Sequence, residues 1–177
     1  MKLVYILALL ASLFLLSCTT KPTLQKYFVE KSEDKDFVSL DVSPSILNMD
    51  PKKMTGEQQT ALKSFEKINI LAFKINSQNA AKYETESSKV STLLKDKNYQ
   101  ELMKIGSGKD MASISFVGDE NHINEFVLFG KRKENGFAVF RILGKDMNPN
   151  TILNMVSLLK NSNINAEQFK PLEGLLK

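Results

Sequence analysis

The chain has 177 residues, of which 42% are hydrophobic, enough for one folded domain and too many for a disordered chain. Its 24 Lys+Arg against 20 Asp+Glu leave a net charge of +4 with the signs interspersed, which argues against the dense basic footprint of a nucleic-acid binder. A single cysteine and a single histidine exclude a disulfide framework and a Cys/His metal site.

Lys2 is followed by an apolar run from Leu3 to Leu16, interrupted only by Ser12 and the hydroxyl of Tyr5. A spanning helix needs about 20 apolar residues, so the run predicts a signal-peptide core and not a permanent membrane span. It ends in Leu15-Leu16-Ser17-Cys18, which reads as a lipobox, with a small residue before the cut and a cysteine whose sulfur takes a diacylglycerol thioether. Residues 1–17 are thus expected to be a leader, 18–23 the lipidated Cys18 with a polar tether, and 24–177 one domain. Each acyl methylene adds about 0.8 kcal/mol of membrane affinity, so two or three chains would make the anchor effectively permanent. With Cys18 consumed, no thiol is left for nucleophilic or redox work. The tether Thr19 to Thr23 has no Asp after the cysteine and no acidic cluster. By resemblance to known sorting signals, that points to the outer membrane, facing the periplasm.

Leu24, Tyr27 and Phe28 share a helical face, and Phe37 to Val42 reads as a first strand closed by Pro44. Thr55-Gly56-Glu57-Gln58 has the capping-box pattern of a helix start, with Ala61, Leu62 and Phe65 as its buried stripe. Ile68 to Ile75 is apolar enough to be a central strand. Asn79 to Lys95 is a helix with Tyr83, Val90, Leu93 and Leu94 on or near one side. From Tyr99 the pattern turns to strands: Tyr99 to Ile105, then Ala112 to Phe116 in strict alternation. A hairpin of His122 to Lys131 and Gly136 to Leu143 follows, its Asn135-Gly136 supplying the positive φ of a tight turn. Asn148-Pro149 starts a last helix, where Ile152, Met155, Val156 and Leu159 keep the full helical spacing. The tail from Ile164, with Pro171, is expected to run along the surface. The order predicts an α+β fold: a mainly antiparallel sheet of about five to six strands with a C-terminal meander, and helices packed on the sheet.

Candidate chemistry is sparse. His122 follows a turn and has no second histidine or cysteine to join it. Asp146 to Asn150 imitates the start of a calcium loop but lacks the turn glycine and the closing glutamate, and helix capping explains the same residues. Ser64-Phe65-Glu66-Lys67 and Ser157-Leu158-Leu159-Lys160 match Ser-x-x-Lys without its companion motifs. Glu84/Glu86 and Asp119/Glu120 are read as solvated carboxylates on a helix and a turn. Gly106-Ser107-Gly108-Lys109 precedes a strand and opens no helix, so it is read as a turn and not as a phosphate loop. No cofactor and no metal are expected.

Both alternation sets of the late hairpin are apolar: Phe126, Leu128, Phe140 and Ile142 on one side, Val127, Phe129, Phe137 and Val139 on the other. Helices on one face would leave the second set in water, so another helix, a partner subunit or an apolar ligand has to cover it. Lys131-Arg132-Lys133 crowns the hairpin, and with Phe129 and Phe137 it forms the candidate interaction surface.

The lipobox, the short strand ending near Pro44, the Tyr99-x-x-Leu102-Met103-x-Ile105 segment and the Phe137-x-Val139-x-x-x-Leu143-Gly144 strand come in an order that resembles an uncharacterised lipoprotein family of Bacteroidetes, a domain of unknown function (DUF4252-like). The resemblance implies a small envelope domain over nearly the whole mature chain and supplies no catalytic residues. Together these readings lead to the expectation of a non-enzymatic envelope lipoprotein, an interaction or envelope-maintenance module. Its partners would be the membrane, through its anchor, and an envelope protein or a second copy in a homodimer, with no nucleic acid. A binder of an apolar ligand such as a lipid is the alternative.

Overall fold

The computed structural model describes residues 21–47, 50–108 and 110–161. Its elements follow the expected order: α1 (Leu24–Lys31), β1 (Phe37–Val42), α2 (Gly56–Ser64), β2 (Phe65–Lys74), α3 (Ala80–Leu93), β3 (Gln100–Ser107), β4 (Asp110–Asp119), β5 (His122–Arg132), β6 (Gly136–Met147) and α4 (Pro149–Asn161). Two short 3-10 turns, Pro44–Leu47 and Pro51–Lys53, bridge β1 and α2. The leader, Cys18 and the tail from Ile164 lie outside the described residues.

Local chemistry sets the element ends. Thr55 Oγ1 accepts from the Gln58 amide at 3.2 Å while Gln58 Oε1 accepts from the Thr55 amide at 3.0 Å, so two free amides at the start of α2 are satisfied reciprocally. Asn148 caps α4 in the same way: its Oδ1 accepts from the Thr151 amide at 3.2 Å, and Thr151 Oγ1 accepts from the Asn148 amide at 3.0 Å. One boundary differs from expectation. Phe65 was read as part of the α2 stripe, but its backbone is extended (φ −89°, ψ 126°) and it is the first residue of β2. Phe65 is buried either way, so its hydrophobicity alone could not assign it.

All five strand pairings are antiparallel, in the order β1-β2-β6-β5-β4-β3. The fold is therefore α+β. β2 is central as expected, between β1 and β6; α3 then carries the chain to the far edge, and the meander β3 to β6 returns to pair with β2.

Alternation splits the sheet into two faces. On the first, Leu71, Phe73, Val127, Phe129, Phe137 and Val139 pack beneath α1 and α3, which contribute Leu24, Tyr27, Phe28, Tyr83 and Val90. Aromatic rings concentrate there, with Phe73 stacked on Phe137 at 5.4 Å and Phe37 edge-on to Phe73 at 5.2 Å. Such pairs add about 0.5–1.5 kcal/mol each beyond their buried area. On the second face, Phe65, Phe116, Phe126 and Ile142 pack with Met54 before α2, Met147 and Ile152 of α4. Each face thus has its own helical layer, and the two-faced hairpin is covered on both sides over part of its length.

Candidate functional site

The second face is closed along its lower row and at β2, where Ile70 and Ala72 are buried beside Phe140 and Ala138, and is open toward the edge strand β3. Strand register sorts it into three cross-strand rows. The lower row, Ile68-Ile142-Phe126-Phe116, is the part that packs with Ile152 and Met147. Above it lies Phe140-Leu128-Ile114-Met103, and above that Ala138-Gly130-Ala112-Ile105. Phe140, Leu128 and Ile114 are half-buried, while Met103 and Ile105 on the edge strand β3 are 48% and 63% exposed. Two adjoining hollows occupy this area. The lower, about 270 Å³, is lined by Met103, Ile114, Leu128 and Phe140. The upper, about 470 Å³, runs to the hairpin tips and is lined by Asp110, Lys131, Arg132 and Asn135. Ile105, Ala112 and Gly130 line both.

The upper rim is shaped by two turns. Between β5 and β6, the Asn135 amide donates to the Arg132 carbonyl at 3.1 Å and Gly136 takes φ +121°. Between β3 and β4, Gly106 and Gly108 have φ +74° and +66°, so the glycine-rich segment is a hairpin turn, as expected. Asp110 Oδ1 accepts from the Lys133 amide at 3.0 Å and ties the two turns together. The side chains of Lys131, Arg132 and Lys133 have no hydrogen-bond or ion-pair partner among the described residues, whereas Lys31, Lys82 and Lys89 are all paired.

Phe129 and Phe137, expected on the interaction surface with these cations, are 1% and 2% exposed. That expectation is corrected: they point to the opposite face from Leu128 and Ala138 and form core beneath α1 and α3. The surface next to the basic turn is made instead by Gly130, Ala112 and Ile105, which a search for large apolar side chains passes over.

A second correction concerns Glu86, read as a solvated carboxylate. It is 4% exposed and is the hub between α1 and α3. Tyr27 Oη donates to it at 2.9 Å, and Lys89 and Lys31 reach it at 3.0 and 3.2 Å. Burial pushes the Glu86 carboxyl up, but the hydrogen bonds from Lys89, Tyr27 and Lys31 outweigh it and hold it below the usual carboxylate range. The Tyr27 phenol is pushed up by burial and by Glu86. Arg141 is likewise buried, paired with Glu125 at 2.7 and 3.2 Å, bonded to Gln25 and lying over the Phe28 ring at 5.3 Å. A lone arginine in the apolar run Phe137 to Leu143 was the available signal for this pair.

The other candidates do not converge. His122 Nδ1 lies 2.9 Å from Asp146, which with Asp119 raises the pKa of an exposed imidazole. Ser64 Oγ donates to the Ala61 carbonyl at 2.9 Å, and Lys67 pairs with Asp41 at 3.1 Å, so this Ser-x-x-Lys couple is not assembled. Ser157 Oγ accepts from Gln58 at 3.3 Å, and the Lys160 side chain lies outside what is described. Among the described residues, no group of His, Cys, Asp and Glu is placed to hold a metal, and no helix is long and apolar enough to cross a membrane.

These features define a small α+β module, its antiparallel sheet covered on one face by α1 and α3 and open on the other toward the β3 edge. A family model described as a domain of unknown function (DUF4252) matches residues 27–155, and the chain belongs to that family. No curated protein and no solved structure matches it.

Proposed function

We propose that the protein is a lipid-anchored, non-catalytic binding module of the cell envelope, held through Cys18 on the periplasmic side of the outer membrane, with the open part of the second sheet face, toward β3, as working surface. The observation that carries this reading is the apolar strip from Phe140 to Ile105, which ends in two exposed large side chains and adjoins cations with no partner among the described residues. Contiguous exposed apolar area of this kind marks interaction surfaces. The placement of Lys21 supports it. Lys21 pairs with Asp96 just before β3, at the lower end of the sheet, while the basic turn closes the upper end. Six residue steps along β6, from Gly136 to Ile142, separate the two levels, roughly 20 Å at the rise of a strand. The strip and its basic rim thus stand at the end away from the attachment point, where an envelope protein or a second copy has access.

Matched thiol probes test this reading. Ile105 and Val29 are 63% and 65% exposed, on opposite faces of the sheet. Cys18, the only native cysteine, is consumed by the anchor in this reading, so single Ile105→Cys and Val29→Cys substitutions report each face in native membranes. The expected result is maleimide labelling at 105 about tenfold slower than at 29, a ratio that corresponds to 1.4 kcal/mol of protection. Equal rates would remove the open strip as a working surface.

A further inference from the structure

We infer that the two hollows form one binding site for a free long-chain carboxylate, its tail at Leu128 and its head at Arg132, along β5. The inference rests on the open strip being the working surface and adds the chemistry of its occupant.

Three observations meet here. The lower hollow is walled by Met103, Ile114, Leu128 and Phe140, with nothing charged among its lining residues, so it suits an alkyl chain. The passage to the upper hollow is opened by Gly130: a Cβ built on it meets no atom within 4 Å, and its φ lies outside the positive range where glycine is required. Its missing side chain keeps the two hollows continuous without being demanded by the backbone. The upper hollow then presents Arg132, which alternates with Leu128 and Gly130 onto this face and has no partner among the described residues; Lys131, opposite Met111 and Phe137, alternates to the other face.

Charge decides the head group. Lys131, Arg132 and Lys133 outnumber Asp110 and Glu134 around the turn, and Asp110 is already engaged by the Lys133 amide. A neutral chain end would desolvate these cations without compensation, and a cationic one would be repelled. A carboxylate supplies the acceptor that the Arg132 guanidinium lacks. The span from Leu128 to Arg132 is four strand residues, about 14 Å, the scale of one extended alkyl chain.

The test uses the anchored, full mature protein in phosphatidylcholine nanodiscs, with methionine methyl groups isotope-labelled and the Met103 signal identified by Met103→Leu. Dodecanoate is expected to shift that signal saturably and at least tenfold more tightly than dodecylammonium, with affinity rising about two- to fourfold per methylene from hexanoate upward. Gly130→Leu is expected to weaken dodecanoate at least tenfold by filling the passage. The variant Arg132→Glu, at the exposed end of β5, is expected to reverse the preference toward dodecylammonium. Absence of a saturable shift, equal response to the two head groups, or wild-type affinity in Gly130→Leu would each overturn the carboxylate site. If those failures occur while Ile105→Cys stays protected in native membranes, the working surface stands and only its occupant is wrong.

Discussion

Gly136→Ala is expected to lower the thermal midpoint by about 6–12 °C, corresponding to a loss of about 3 kcal/mol in a domain of this size. Gly136 opens β6 with φ +121°, a region that residues with a Cβ rarely occupy. It also faces Lys74 across the β2–β6 pairing, where an added Cβ would run into the Phe73 carbonyl oxygen and crowd the Ile75 amide at 3.2 Å. Those are backbone atoms of the central strand, so relief requires separating β2 from β6, the pairing that joins the late meander to the first half of the sheet. Gly130→Ala is the matched control in the same hairpin. Nothing lies within 4 Å of its Cβ, and removing a strand glycine's excess freedom stabilises by up to about 1 kcal/mol. Thermal unfolding of both variants checks the account, and equal midpoints would contradict the β2–β6 register.

The second large effect is expected at Glu86. Glu86→Gln should cost about 2–4 kcal/mol near neutral pH, because it leaves the Lys31 ammonium, whose side chain is 10% exposed, without its buried counter-charge. Glu30 at 3.0 Å remains beside Lys31 and limits the loss. The carboxyl of Glu86 is held below its unfolded value, so its contribution is complete above about pH 5 and fades as pH falls through the folded value. The gap between wild type and Glu86→Gln should therefore narrow from pH 7 to pH 3. Asp34 and Asp36, depressed by hydrogen bonds from Lys82, weaken both proteins in acid and cancel in the difference. Urea unfolding at the two pH values measures the gap, and a gap of constant size would show that Glu86 acts through packing alone.

What could be read from the chain was what short-range chemistry decides. The Thr55/Gln58 capping box, the Asn148-Pro149 helix start, the Asn135-Gly136 turn and the alternation of Ala112 to Phe116 all specify their conformation within a few residues, and all appear where expected. The site was harder to read because it depends on which surfaces meet. Phe129 and Leu128 are neighbours of similar hydrophobicity. Only the return of α1 and α3 over one face makes Phe129 core and leaves Leu128 half open. Glu86 has the polarity of an exposed helical residue until Tyr27 and Lys31 arrive from a helix about 55 positions earlier in the chain. Gly130 carries no side chain to notice, yet its empty Cβ direction shapes the hollow.

The proposed function depends most on lipidation at Cys18, which would set both the address of the domain and which end of its sheet faces outward. Intact mass spectrometry of the mature protein extracted from its own membranes tests this directly. The predicted result is a chain beginning at Cys18 and carrying the added mass of a diacylglycerol thioether, with or without a further amide-linked acyl chain. A chain that keeps residues 1–17, is cut at another position, or carries a free Cys18 thiol would contradict it.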